Sequence, residues 1–87
     1  MKILYHKRFI KRTRKCTKAD RELLAKKIEL FCINPFDISF RNHQLHGKYI
    51  GHKSIDIKGN LLALYVEIDK ETIEFRYLGT HHELYGL

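Results

Sequence analysis

The sequence lacks any apolar stretch long enough to cross a membrane. Its longest apolar run is Leu61–Val66, whereas a membrane-spanning helix needs about 20 apolar residues. Lys2 is followed by only a short apolar run, which argues against a secretory signal peptide. A chain of 87 residues has room for one hydrophobic core. We therefore expect a single domain, residues 1–87, located in the cytoplasm and without membrane contact.

Cysteines and metal-binding motifs are also scarce. Cys16 and Cys32 fall in separate predicted helices without Cys-x-x-Cys spacing, which indicates buried free thiols rather than a disulfide. The chain has no His-Glu-x-x-His motif and no cysteine–histidine quartet, and its glycines follow neither spacing typical of nucleotide-binding loops. We expect no metal site and no cofactor.

Acidic residues are missing from residues 1–18, although that segment carries eight Lys and Arg residues. The chain as a whole has a net charge of +7. Such density favours binding to a polyanion such as RNA, through neutralisation of phosphates and release of counterions. An acidic protein partner would satisfy the same pattern. The basic face of the first predicted helix, with Lys11, Arg12 and Lys15, is therefore a candidate surface for RNA or for a protein partner.

The first half of the chain predicts one strand and two helices. Met1–His6 alternates as a short strand, and Lys7–Cys16 has the pattern of a helix. The run Thr17–Asp20 matches a capping box at the start of a second helix, which ends at Asn34 because the residue before proline leaves the α region. The second helix has a core-facing stripe at i, i+4 and i+7: Leu24, Ile28 and Phe31.

The second half predicts an antiparallel sheet. Residues 35–42 form a predicted loop packed by Phe36, Ile38 and Phe40. Strands follow, with Leu61–Val66 as a central strand because it is apolar on both faces. The predicted strands are Ser54–Ile57, Leu61–Ile68 and Thr72–Leu78, the last with Ile73, Phe75 and Tyr77 on one face. The order β-α-α-β-β-β predicts an α+β fold with two helices packed on a small antiparallel sheet.

Polar side chains alternate with isoleucines along the first of these strands. His52, Ser54, Asp56 and Lys58 share one face, and Ile55 and Ile57 share the other. The polar face is either the solvated side of the sheet or a functional site. A Ser-His-Asp triad is excluded, because alternate strand residues stand side by side and cannot relay a proton.

Metal-free cleavage of RNA fits the residue types better. It needs a base for the 2′-hydroxyl proton, an acid for the leaving 5′-oxygen and positive groups around the phosphorus. Histidine suits both proton transfers because it titrates near neutral pH, and an aromatic ring can stack a base. The candidates are His43, His46, His52, Lys53, His81 and Tyr85.

Two segments give these candidates a recognisable arrangement. HQLHGKYIGHKSIDIKGNLLALY and the later GTHHELYG resemble the RelE/ParE superfamily of bacterial toxins, and within it the YafQ-like branch. That branch has a His-x-Leu-x-Gly-x-x-x-Gly-x-Arg-Ser run, an apolar strand ending in Tyr and a closing Gly-Thr-His-x-x-Leu-Phe/Tyr. The matching residues are His43, Leu45, Gly47, Gly51, Lys53 in place of Arg, Ser54, Tyr65, Gly79, Thr80, His81, Leu84 and Tyr85.

The resemblance implies a RelE-like domain that cuts mRNA on the ribosome and is neutralised by a cognate antitoxin in a toxin–antitoxin hetero-oligomer. It implies His81 as acid or proton shuttle, His43 as a second acid/base group or phosphate contact, and Tyr85 as an orienting or stacking group. The RNA- and phosphate-binding set that we assign beside them is His46, His52, Lys53, Arg76, Lys11, Arg12 and Lys15.

Several positions depart from the branch pattern. Asp56 stands where the branch has a second histidine, and it is assigned as a catalytic carboxylate, with His52 as an alternative replacement for the imidazole. Asn60 and Leu61 stand for an aspartate and a tryptophan, and Leu62 for an arginine. These departures leave two alternatives open: a weak or inactive member that serves as an antitoxin-binding module, and a ParE-like inhibitor of DNA gyrase.

Overall fold

A five-stranded mixed sheet carries helices on one face and the C-terminal helix on the other. The computed structural model describes residues 1–86. The strand order is β1-β5-β4-β3-β2. The elements are β1 (Lys2–Tyr5), α1 (Lys7–Thr13), α2 (Lys18–Ile33), β2 (His43–Gln44), β3 (Lys53–Lys58), β4 (Leu61–Asp69), β5 (Thr72–Gly79) and α3 (His81–Tyr85), with single 3₁₀ turns at Ile38–Phe40 and Gly47–Tyr49.

The predicted α+β class is confirmed, and the structure adds two elements and one parallel pairing to it. The additions are the two-residue strand β2 and the short helix α3. β1 lies beside β5 and runs parallel to it, so the sheet is mixed rather than antiparallel. Parallel neighbours require a long connection, and here the connection is the whole intervening chain.

Both helix boundaries follow from local hydrogen bonds. α1 ends at Thr13, earlier than predicted, because the amides of Arg14, Lys15 and Cys16 bond to carbonyls three residues back in a tight turn. The Thr17 hydroxyl caps α2 by accepting the amide hydrogen of Asp20 at 3.1 Å. In the predicted capping box the Asp20 carboxylate would accept from the Thr17 amide. It accepts instead from Lys58 Nζ, at 2.9 Å.

The main core lies between the helices and the sheet. The predicted stripe of α2 is buried there, and Phe31 is central to it, with ring centroids 5.2 Å from Tyr65 and 5.6 Å from Phe40. Ile55 and Ile57 face this core, as predicted. The predicted packing of Phe36 and Ile38 is wrong: they are 83% and 91% exposed, because the 3₁₀ turn directs only Phe40 inward.

A β-bulge near the end of β5 reverses the faces to which the side chains beyond it point. Tyr65 pairs with Phe75, but its neighbour Leu64 pairs with Tyr77, so Arg76 is an extra residue in β5. Phe75 faces the main core, whereas Tyr77 packs on the opposite face against a second cluster: Tyr49, Leu62, Leu64, Leu84 and Leu45. The prediction that Phe75 and Tyr77 share a face is therefore wrong, and the far side of the sheet is partly apolar.

Two further expectations concern the cysteine thiols and membrane-spanning segments. Both cysteines are free. Cys16 is buried as predicted, and Cys32 is exposed, contrary to the prediction. No helix within residues 1–86 combines the length and apolarity that crossing a membrane requires.

Phe31 and Phe36 provide a matched test of the core. Replacing Phe31, 1% exposed, by Ala is expected to lower the free energy of unfolding by about 3–5 kcal/mol, because it removes a ring from a close-packed cluster. Replacing Phe36 by Ala is expected to change it by less than about 0.5 kcal/mol. Urea unfolding followed by circular dichroism measures both, and similar losses for the two variants would contradict this description of the core.

Candidate active site

A cleft of about 320 Å³ opens on the side of the sheet that α3 covers. We call it the histidine cleft. All four residues assigned to catalysis from the sequence line it, and four further residues complete its wall. Its lining is Arg41, His43, Ser54, Asp56, Gly59, Leu62, His81 and Tyr85.

Strand register brings His43 and Asp56 together. His43 of β2 pairs with Ser54 of β3, and Asp56 lies two residues further along β3 on the same face. The Asp56 carboxylate lies 3.8 Å from Nε of Arg41, a loose ion pair at the mouth of the cleft. A carboxylate, an imidazole and a guanidinium therefore occupy one wall.

The opposite wall is α3, a helix of five residues. His81 and Tyr85 are four residues apart, so one face of the helix presents both, with ring centroids 6.3 Å apart. Leu84 is buried on the other face, and its carbonyl accepts a hydrogen bond of 2.7 Å from the Tyr49 hydroxyl. Thr80 and Glu83 form a complete capping box at the start of the helix.

Asn60 sets the protonation pattern of His81. Its Oδ1 accepts the backbone amide of His81 at 3.2 Å and lies 3.0 Å from the ring Nδ1. Since an amide N–H can only donate, the side-chain atom of Asn60 at this point is the oxygen, and Nδ1 must carry the proton that it donates. The neutral ring therefore keeps its free lone pair on Nε2.

His43 is held in the same tautomer by a backbone group. Its Nδ1 lies 2.6 Å from the carbonyl oxygen of Arg41, which can only accept, so Nδ1 is the donor here too. Arg41 has a left-handed backbone with φ of 49°, uncommon for a residue with a side chain. Both histidines of the cleft thus have Nε2 available for proton transfer.

The cleft does not include three other residues assigned from the sequence. Lys53 lies on the helix side of the sheet, where it pairs with Glu67, and this hydrogen bond raises the pKa of the Lys53 ammonium. His52 packs against the Tyr49 and Tyr77 rings, with its Nε2 buried. His46 is exposed just before the 3₁₀ turn at Gly47–Tyr49. Their binding roles stay predictions.

Three of the four remaining assigned cations, Lys11, Arg12 and Lys15, border a groove of about 450 Å³, which we call the basic groove. Its lining is Arg8, Lys11, Arg12, Lys15, Lys48, Tyr49, Tyr77, Leu78, Glu83 and Leu84. Lys11 and Lys15 project into it, and Arg8 stacks on Tyr77 at 4.0 Å. Arg12 is engaged by Glu83. Arg76, outside this lining, donates to Glu74 at 2.7 Å.

Two titratable groups of α3 are perturbed. The Arg12 guanidinium and, after it, the Thr80 amide hold the pKa of Glu83 at about 2, below its ordinary value of 4.5. Burial raises the pKa of the Tyr85 hydroxyl, with a smaller effect of Tyr49, so Tyr85 stays protonated at neutral pH. Tyr85 is therefore suited to stacking or to donating a hydrogen bond.

Sequence reasoning assigned no role in the site to Arg41, Ser54 or Glu83. Ser54 is 1% exposed, and its Oγ has no hydrogen-bond partner within residues 1–86. Its position two residues before Asp56 was a usable signal, whereas Arg41 and Glu83 depend on long-range packing. Within the part of the chain that the structure describes, no three His, Cys, Asp or Glu side chains are grouped to hold a metal ion.

The fold is that of the RelE-like toxins. The crystal structure of YafQ from Escherichia coli BL21(DE3) superposes with a TM-score of 0.82 at 22% identity, covering 97% of each chain. A copper-bound mutant toxin from Helicobacter pylori gives 0.76 at 26% identity, over 98% of this chain and 99% of that one. The YoeB/ParE toxin from Agrobacterium tumefaciens gives 0.72 at 19% identity, over 93% and 99%.

A family model identifies the branch. The model of the YafQ bacterial toxins of type II toxin–antitoxin systems matches residues 1–86. The chain belongs to this YafQ toxin family. No curated protein sequence matches it significantly.

The Glu83 carboxylate predicts a specific loss of stability in acid. Its pKa is lowered in the folded state, so its contribution is complete above pH 4.5 and is lost as the pH falls through about 2. We expect wild type to melt at a higher temperature than Glu83→Gln at pH 6, with the difference shrinking below pH 4.5. Thermal melts from pH 6 to pH 2.5 test this, with Glu29→Gln as the control for loss of an exposed carboxylate. A difference independent of pH would contradict it.

Proposed function

We propose that this protein is a ribosome-dependent endoribonuclease, the toxin of a type II toxin–antitoxin system, which cleaves mRNA by attack of the 2′-hydroxyl without a metal ion. Membership of the YafQ family supports the toxin role. The observation that carries the catalytic part is the convergence of His43, Asp56, His81 and Tyr85 on one cleft. These residues come from two segments far apart in the chain, so their meeting is a property of the fold.

In the proposed reaction the 2′-oxygen attacks the adjacent phosphorus while the bond from phosphorus to the 5′-oxygen breaks. The products are a 2′,3′-cyclic phosphate and a 5′-hydroxyl. His43 takes the 2′-hydroxyl proton at its free Nε2, and protonated His81 donates from Nε2 to the leaving oxygen. Both rings are already oriented through Nδ1, by the Arg41 carbonyl and by Asn60.

Asp56, Arg41 and Tyr85 complete the proposed site. Asp56 is a second proton acceptor, close enough to the mouth to exchange with solvent. Arg41, 79% exposed at its side chain, is free to turn toward the phosphorane and balance its charge, a role assigned from the sequence to Lys53. The partly buried Tyr85 ring offers a surface on which a base adjacent to the cut can stack.

The basic groove and the partners belong to the same proposal. Lys11, Lys15 and Lys48 in the lining of this groove provide positive charge beside α3, where the RNA strand or ribosomal RNA would continue from the cleft. A cognate antitoxin is proposed as the protein partner; solved structures of E. coli DinJ–YafQ complexes exist, and the toxin chain of one superposes here with a TM-score of 0.69 at 17% identity.

Two alternatives remain as outcomes of the tests. Asn60 and Leu62 suggest an inactive antitoxin-binding module. Asn60, however, accepts hydrogen bonds from His81, which weakens the argument from the missing aspartate. A ParE-like gyrase inhibitor has no need of two histidines with matched tautomers facing one cleft. Supercoiling assays with gyrase distinguish this second alternative from the proposed nuclease.

The first test removes the proposed acid. His81→Ala is expected to lower the rate of mRNA cleavage in a reconstituted translation system by about 10²–10⁴-fold, the usual contribution of a general acid. His82→Ala is the matched control, because His82 is adjacent, exposed and outside the cleft lining. Mapping of 5′ ends, with and without ribosomes, measures the cuts. Equal cutting by wild type and His81→Ala would overturn the catalytic proposal.

The second test replaces Asn60 and measures how the pH dependence of the cleavage rate changes. Asn60→Asp places a carboxylate against the imidazole at the same two contacts, and an adjacent negative charge favours the protonated ring. The form needed for acid catalysis then persists to higher pH. We expect the alkaline limb of the rate profile to move up by about one pH unit. An unchanged limb would show that His81 is not the acid.

A further inference from the structure

One side-chain pair joins α1 to α3, the helix that carries His81 and Tyr85. Arg12 of α1 donates from Nε to Glu83 Oε2 at 2.9 Å and from Nη2 to Oε1 at 2.7 Å, a two-point contact. The Arg12 side chain is only 19% exposed. Bidentate pairs of this kind fix geometry as well as charge.

Glu83 uses the same carboxylate to begin α3. Its Oε1 also accepts the Thr80 amide at 3.0 Å, and its own amide donates to the Thr80 hydroxyl at 3.1 Å. One oxygen thus joins the helix cap to α1. A Cβ added at Gly79 would lie 3.3 Å from Glu83 Cβ, so the first turn of α3 packs closely against the end of β5.

α3 depends on such external contacts. Helices of five residues are unstable alone, and this one is tied by the Leu84 side chain and carbonyl, by Asn60 and by Arg12. It carries His81 and Tyr85 into the cleft. A loss of the Arg12 contact would therefore displace the reacting groups, and a displacement near 1 Å can cost about 10²-fold in rate.

We propose that Arg12 and Glu83 are positioning residues, a clamp that fixes α3 and so sets His81 and Tyr85 for the reaction, and that Arg12 is not a phosphate ligand. The inference rests on the proposed nuclease function for its kinetic consequence. It revises the role that the sequence suggested for Arg12. Of the groove cations assigned from the sequence, Lys11 and Lys15 keep the proposed role of binding RNA.

The experiment compares Arg12→Gln, Glu83→Gln and the double variant in ribosome-dependent cleavage, after thermal melts show that each is folded. Gln at position 83 still satisfies the capping box, so Glu83→Gln removes the charged contact alone. We expect each single variant to lower kcat by about 10–100-fold with little change in KM. The double variant should have a kcat no lower than the single variants, because each single variant already removes the same Arg12–Glu83 contact.

Matched variants separate the clamp from RNA binding. Arg14→Gln removes a neighbouring charge that lies outside the basic groove and is expected to retain the wild-type kcat. Lys15→Gln should weaken RNA binding and reduce the slope of log affinity against log salt by about one. Arg12→Gln should leave that slope unchanged. A reduced slope and raised KM for Arg12→Gln, with wild-type kinetics for Glu83→Gln, would overturn the clamp.

A readout without catalysis distinguishes failure of the clamp from failure of the nuclease proposal. Nitrogen-detected NMR of His81 and amide exchange at Leu84 and Gly86, which bond to Thr80 and His82 carbonyls, report on α3 directly. Arg12→Gln and Glu83→Gln should perturb the same signals and speed exchange at least tenfold, and Arg14→Gln should not. Unperturbed α3 signals would overturn the clamp even if wild type cleaves mRNA; perturbed signals in a protein that cleaves nothing would overturn only the nuclease.

Discussion

The burial of β4 on both faces is the constraint on which the rest of the structure depends. Leu61–Tyr65 are all buried. Because successive side chains of a strand point to opposite faces, this requires a covering layer on each side of the sheet. Helices α1 and α2 cover one face through Phe9, Leu24 and Phe31. The other face needs a cover from elsewhere, which α3 and the turn at Gly47–Tyr49 supply with Leu84 and Tyr49. The histidine cleft lies beside that second layer, and Leu62 belongs to both.

Sequence patterns predicted those elements that a single period describes. The α2 stripe and the doubly apolar β4 were evident because burial on one helix face, or on both strand faces, leaves a direct signature. The inverted end of β5 was not, since a bulge adds one residue without a consistent sequence marker and exchanges the faces beyond it. α3 was hidden for another reason: a five-residue helix held by distant partners has too little local pattern.

Sequence reasoning identified four residues of the histidine cleft but not the ion pairs made by the cations around it. His43, Asp56, His81 and Tyr85 were identified by type and by resemblance, and the fold brings them to one cavity. Arg12 was assigned to phosphate by its charge, and Lys53 by its charge and by resemblance. Each has a carboxylate partner, Glu83 for Arg12 and Glu67 for Lys53. A chain with net charge +7 has many more cations than sites, so which of them remain unpaired is decided by the tertiary structure.

The pairing of β1 with β5 has a consequence for synthesis of the protein. Lys2–Tyr5 completes its parallel ladder only with Thr72–Phe75, residues close to the end of the chain. Lys2–Tyr5 can therefore pair only after residues 72–75 have been synthesised. While the C-terminal segment is still inside the exit tunnel, neither the sheet nor α3 can be complete. His81 and Tyr85 lie on α3, so the histidine cleft is completed only after almost the whole domain has formed.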